Sequence, residues 1–173
     1  MKANTASRSA KDPAISSVLV AIDFSSCSRR ALQKAKELLG DKTARIVALH
    51  VIDVNFVQEC VQRSLDEEGA IKKRLFAHAK EKMRNFLHEE GFEGENVEPV
   101  VCTGTPFLEI NKFADRYDAD LIVMGSCGMV GDTEAIFFGG TTEKVLRFLS
   151  RPVLCIPPNA KNGSSKTFSK KSR

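Results

Sequence analysis

The chain has 173 residues, 42% hydrophobic and 28% charged, with a formal net charge of +4 and five cysteines. That length suits one domain with a sizeable core and leaves too little for two, and no apolar run is long enough to span a bilayer. The positive charge is local: Lys161, Lys166, Lys170, Lys171 and Arg173 close the chain without an acid and leave the remainder at −1, which removes the compositional case for a nucleic-acid-binding body.

Residues 1–14 are polar and read as a flexible lead-in. They lack the apolar stretch of a secretory signal, so a cytoplasmic location is expected. Val18-Leu19-Val20-Ala21-Ile22 is a continuous apolar run ending at Asp23, the pattern of a strand buried on both faces of a parallel sheet. Ser25, Ser26 and Ser28 are N-cap candidates for a helix whose apolar face carries Ala31, Leu32, Ala35, Leu38 and Leu39 and which Gly40 stops. Arg45 to Ile52 repeats the strand pattern and ends at Asp53. Val54 to Ser64 looks irregular, and a long amphipathic helix follows from about Leu65 to Glu90, with Ile71, Leu75, Ala79, Met83, Phe86 and Leu87 on one side. His78 and His88 on it are not at the four-residue spacing of a helical ligand pair.

Val97 to Thr103 is a third strand, assigned to a sheet edge because Pro99 cannot donate to a ladder. Gly104-Thr105-Pro106 turns the chain into a helix bearing Leu108, Ile110, Phe113, Ala114 and Tyr117. Leu121 to Met124 is a fourth strand, breaking into Gly125-Ser126-Cys127-Gly128. A loop then leads to Gly139-Gly140-Thr141-Thr142 and an amphipathic segment with Val145, Leu146, Phe148 and Leu149. Val153 to Ile156 is a fifth, short strand closed by Pro157 and Pro158, and residues 159–173 form a basic, flexible tail. Strands alternating with helices predict an α/β three-layer sandwich around a parallel sheet.

The cysteines Cys27, Cys60, Cys102, Cys127 and Cys155 are scattered, with no Cys-x-x-Cys pair and no histidine at zinc-ligand spacing, so no protein metal site is expected and a reduced compartment fits. Cys102 and Cys155 fall in apolar runs and are expected in the core. Cys127 lies in the glycine loop, where exposure is possible, but with no basic or resolving partner beside it a redox role is not expected.

In open α/β sheets ligands bind beyond the carboxyl ends of the strands. Those ends read Asp23-Phe24-Ser25, Leu49-His50-Val51-Ile52-Asp53, Gly104-Thr105-Pro106 and Met124-Gly125-Ser126-Cys127-Gly128. By itself the stretch from Leu121 to Leu149 is either a glycine turn joining strand to helix or a phosphate site at a helix start. Asp23 is either a carboxylate stabilised by the helix that follows it or a ligand to sugar hydroxyls. In combination, from about Val18 to Pro158, the chain resembles the universal stress protein family.

The resemblance implies an adenine nucleotide α-hydrolase-like, Rossmann-like fold over residues 15–158, a five-stranded parallel sheet of order 3-2-1-4-5 and a binding site at the switch point between strands one and four. It also implies membership of the ATP-binding branch, whose pattern is Gly, two residues, Gly, about nine residues, then Gly and Ser or Thr. Gly125 and Gly128 match. Ten residues separate Gly128 from Gly139, and Gly140 stands where the family has a hydroxyl residue, with Thr141 and Thr142 following.

Carried over by position, Asp23 meets the ribose, Ala21 lines the site, Val51 offers backbone to adenine and Met124 covers base or sugar. Gly125, Gly128, Gly139, Gly140, Thr141 and Thr142 hold the phosphates of ATP or AMP, with Mg2+ on the phosphates themselves. The resemblance further implies a homodimer through the edge strand 153–156. Three functions follow: a nucleotide-binding dimeric stress regulator, a slow ATP hydrolase, or a nucleotide-free dimeric scaffold. The loop Met129 to Ile136 carries acids and no Lys or Arg, which argues against strong stabilisation of a γ-phosphate transition state, so at most weak hydrolysis is expected.

Overall fold

The structure is a computed structural model describing residues 15–40, 44–63, 66–92, 96–128 and 138–158. The segments 1–14 and 159–173, read above as flexible, lie outside the described residues, as does the loop 129–137. Ten elements follow in order: β1 (Ser17–Ala21), α1 (Ser26–Leu39), β2 (Arg45–Asp53), α2 (Val54–Arg63), α3 (Glu68–Glu89), β3 (Val97–Gly104), α4 (Pro106–Arg116), β4 (Leu121–Gly125), α5 (Gly140–Arg147) and β5 (Val153–Ile156). The strands form one sheet of order β3-β2-β1-β4-β5, with every neighbouring pair parallel. Fold class and strand order are those expected.

Alternation along each strand sorts the core into two layers. Val18, Val20, Ile46, Ala48 and Val123 point to one face and pack with Ala31, Leu32 and Ala35 of α1 and Met83, Phe86 and Leu87 of α3. Leu19, Val47, Leu49, Ile122 and Met124 point to the other and meet Ile110, Phe113 and Ala114 of α4 and Val145 of α5. Val18, Leu19 and Val20 of the central strand are all fully buried, which is why β1 reads as an unbroken apolar run. Pro99 lies in edge strand β3, opposite Ala48.

Two expectations need correction. The stretch from Val54 is a helix, α2, with only Val57 buried and packed into a small cluster with Ile52 and Ala79. Asp53 Oδ1 accepts from the Asn55 amide at 2.9 Å at its start. Val54, Val57 and Val61 stand at helical spacing, a signal that the short, polar stretch around them obscured. The amphipathic segment after Gly139 is also shorter than the apolar pattern suggested: α5 ends at Arg147, and Phe148 and Leu149 are 59% and 58% exposed.

The close approach of α1 to β4 fixes the frame of the site. A Cβ on Gly125 would stand 2.6 Å from Cys27 Cβ and 3.1 Å from the Cys27 backbone carbon. The first turn of α1 therefore rests on bare backbone. Gly125→Ala must push that turn away, and urea unfolding should show a loss of about 1–3 kcal/mol; an unchanged midpoint would mean that the contact is slack.

Candidate functional site

The backbone ladder between β1 and β4 ends at Val20 and Val123. Beyond it the two strands keep different company. The Ile22 amide donates to Leu49 O at 2.8 Å, following β2, while the Ser126 amide donates to Ile156 O at 2.8 Å, following β5. The sheet thus opens between its central strands where the order reverses. The resulting cleft holds a cavity of about 200 Å³.

One lip is the turn after β1. Asp23 Oδ1 accepts from the Ser25 amide at 2.9 Å and from Ser25 Oγ at 2.5 Å, and Ser25 Oγ in turn accepts from the Ser28 amide at 3.1 Å as the N-cap of α1. The second oxygen, Oδ2, faces Gly128 across the cleft, 3.0 Å from where a Cβ there would be. Phe24, at φ 67°, holds a conformation that costs a non-glycine residue about 1–3 kcal/mol. Its ring is fixed by His50 at 4.5 Å and Phe86 at 5.6 Å between centroids, with Lys82 Nζ 4.5 Å from its centre. These contacts set the direction in which Asp23 points.

The other lip is the glycine loop with the start of α5. The Gly139 amide donates to Ser126 O at 2.8 Å, joining the two ends of the loop. Gly139 is the N-cap of α5 and no side chain caps it, so the first-turn amides of α5 are donors without a side-chain acceptor. Thr142 is buried and its hydroxyl donates to Gly125 O at 2.9 Å; that proton pins α5 to β4. Thr141 is exposed, and a Cβ on Gly140 would meet nothing within 4 Å.

Ala21, Asp23, Val51, Met124, Gly125, Gly128, Gly139, Gly140, Thr141 and Thr142 all line this one cleft. Sequence reasoning missed seven further linings, Ile22, Ser28, Leu49, His50, Pro106, Ile110 and Cys127. His50 is the most informative. Its Nδ1 donates to Ile22 O at 2.8 Å, which sets the neutral tautomer. Burial holds its pKa below the ordinary 6.5, assisted by Lys82 and opposed by the Ile22 bond and Asp23. The only sequence signal was its place at the end of a buried strand.

The cysteines depart from expectation. Cys127 is 8% exposed, and a partner does lie beside it: Cys27 Sγ is 2.7 Å from Cys127 Sγ. Burial, then the neighbouring sulfur, pushes the Cys27 thiol up to about 11. Cys102 and Cys155 are half-buried and pack against the core on the α4 and α5 face of the sheet. Among the described residues no three His, Cys, Asp or Glu side chains group as a metal site, and no helix is long and apolar enough to cross a membrane.

Comparison with known proteins gives a consistent picture. Residues 15–157 match the model of the universal stress protein family. Universal stress protein MJ0577 of Methanocaldococcus jannaschii is 31% identical over 151 residues, covering 80% of this chain and 93% of that protein. The solved structure of MJ0577 superposes with a TM-score of 0.73 at 30% identity over 86% of this chain and 99% of that one. Two further structures share the fold: a universal stress protein in complex with cAMP (20% identity, TM-score 0.56, covering 83% and 98%) and one from Archaeoglobus fulgidus in complex with dAMP (24% identity, TM-score 0.50, covering 82% and 97%).

The His50 environment has a pH signature. A histidine whose folded pKa is lowered leaves stability untouched while both states are neutral. Below 6.5 the unfolded chain takes the proton first and stability falls. From about pH 7 to pH 5 the wild type should lose unfolding free energy faster than His50→Gln, with parallel curves excluding a buried neutral imidazole.

Proposed function

The chain belongs to the universal stress protein family, and on that premise we propose that it is of the nucleotide-binding branch, taking ATP or AMP at the β1/β4 split as a dimeric stress-response regulator. The observation that carries this reading is the pairing of two unlike lips across one cleft: a carboxylate with one oxygen already engaged and the other facing the gap, opposite a helix start with uncapped amides.

The chemistry of each lip suits one end of a nucleotide. Asp23 Oδ2 accepts from the ribose hydroxyls while Ser25 immobilises Oδ1, so little entropy remains to be lost on binding. Ala21, Met124 and Ile110 give an apolar bed for the base, and the backbone of Val51 reads the adenine edge without a side chain. The α-helical amides at Gly140 and Thr141, with the open backbone of Gly125, Gly128 and Gly139, receive the phosphates. Thr141 is the hydroxyl at hand to replace the one that Gly140 lacks, whereas Thr142 acts as the clamp on β4. Mg2+, carried by the phosphates, adds counter-charge that the described lining residues do not supply. Among those residues there is no lysine or arginine, so the reading is binding, with hydrolysis slow at best. The cAMP and dAMP complexes of two proteins with this fold lend support.

Dimerisation through β5 completes the proposal. Within the described sheet β5 pairs only with β4, leaving its outer edge open. Such an edge is suited to an isologous antiparallel pair. Light scattering on the eluting protein at micromolar concentration should give twice the chain mass; a clean monomer refutes this part.

Calorimetric titration with ATP and AMP, with and without Mg2+, tests the binding. Asp23→Ala should weaken it by about ten- to a hundredfold, the loss of a charged hydrogen-bond acceptor. Gly140→Ser should tighten it several-fold, since the site has room for the side chain. No heat at millimolar nucleotide would reject the reading.

A further inference from the structure

Cys27 and Cys127 are 100 positions apart in the chain, and the fold brings their sulfurs to 2.7 Å. Cys27 stands in the first turn of α1 and Cys127 two residues beyond β4. Both are free thiols. The two sulfurs are in direct contact, within reach of a covalent S–S bond. The α1 side of the approach is set by packing, because the Cys27 backbone lies directly against Gly125, two residues before Cys127. Cys127 lines the open cleft while Cys27 sits behind it, 1% exposed. Cys60, Cys102 and Cys155 are half-buried on other elements, Cys60 in α2, Cys102 in β3 and Cys155 in β5.

We propose that Cys27 and Cys127 form a redox-convertible dithiol, closed to an intramolecular disulfide by a peroxide-class oxidant and reopened by a dithiol reductant. The cleft gives hydrogen peroxide access to Cys127. Its sulfur attacks one peroxide oxygen, the O–O bond breaks, a sulfenic acid forms and the first water leaves. Cys27 sulfur then attacks the Cys127 sulfur, the S–S bond forms, the S–O bond breaks, and the leaving oxygen takes the Cys27 proton to give a second water. Two thiols and one peroxide become one disulfide and two waters. The raised pKa of Cys27 suits the second, resolving role rather than first contact with oxidant. The bond would tie α1, and through Ser25 the Asp23 turn, to the Ser126–Gly128 loop that holds Gly139. It would therefore join the two lips of the cleft from beneath. Formation of the disulfide does not depend on nucleotide binding.

The test uses the full chain, reduced, freed of reductant and exposed to hydrogen peroxide in native buffer, then unfolded in guanidinium chloride containing excess N-ethylmaleimide so that every remaining thiol, buried Cys27 and Cys127 included, is alkylated. Mass spectrometry without reduction should show a monomer-mass chain with three adducts in place of the five of the reduced protein, and peptide mapping should link the Cys27 and Cys127 peptides. Dithiothreitol before alkylation should restore five. Cys127→Ser should keep all four of its remaining thiols under the same treatment. Five adducts after oxidation, a link between any other pair, or oxygen added to either sulfur without a cross-link would overturn the proposal.

Discussion

The end of hydrogen bonding between β1 and β4 after Val20 and Val123 is the constraint on which the site depends. A strand's backbone groups pair in the plane of the sheet, and past this point each strand leans to its outer neighbour, β1 to β2 and β4 to β5. The connections force the split. From β1 the chain moves outward through β2 to β3, then returns across the sheet to β4 on the other side. With crossovers of one hand, α1 and α3 cover one face and α4 and α5 the other, and none of the described helices closes the gap between the central strands.

A gap alone would fill with water, and what makes this one a shaped cleft is the way its lips are held. Ser25 serves the Asp23 carboxylate and the α1 N-terminus with one hydroxyl. The aromatic contacts of Phe24 with His50 and Phe86 compensate a backbone conformation that would otherwise relax. Opposite, Thr142 ties α5 to β4 and Gly139 ties the far end of the loop to its beginning. The two lips meet in the core at the Gly125–Cys27 contact, where a missing Cβ lets helix and strand approach. Preorganisation therefore resides in hydrogen bonds and packing that exist before any ligand arrives.

The strands were legible because those buried on both faces leave continuous apolar runs, as at Val18 to Ile22. Their order was not, since alternation of strand and helix is compatible with several arrangements; it came from the family resemblance carried by the strand ends. Apolar pattern and burial part company in two places. Helix α2 carries Val54, Val57 and Val61 at helical spacing yet buries only Val57, and Phe148 and Leu149 are apolar residues facing solvent beyond a helix end. The site residues taken from the motif do share a cleft, whereas Cys27 beside Cys127, the Ile22 partner of His50 and the Gly125 partner of Thr142 are products of tertiary register. Nothing in the spacing of those residues along the chain encodes such contacts.

The central claim is that the β1/β4 split receives an adenine nucleotide with the base toward β2 and the phosphates toward α5. Backbone amide chemical shifts of the isotopically labelled full chain, followed by two-dimensional NMR during addition of AMP and of ATP, test it directly. The account predicts changes at Ala21 to Ser25, Val51 and Gly125 to Gly128 with both ligands, and larger changes at Gly139 to Thr142 with ATP. Shifts centred instead on α3 or the β3 edge, or none at saturating nucleotide, would contradict it.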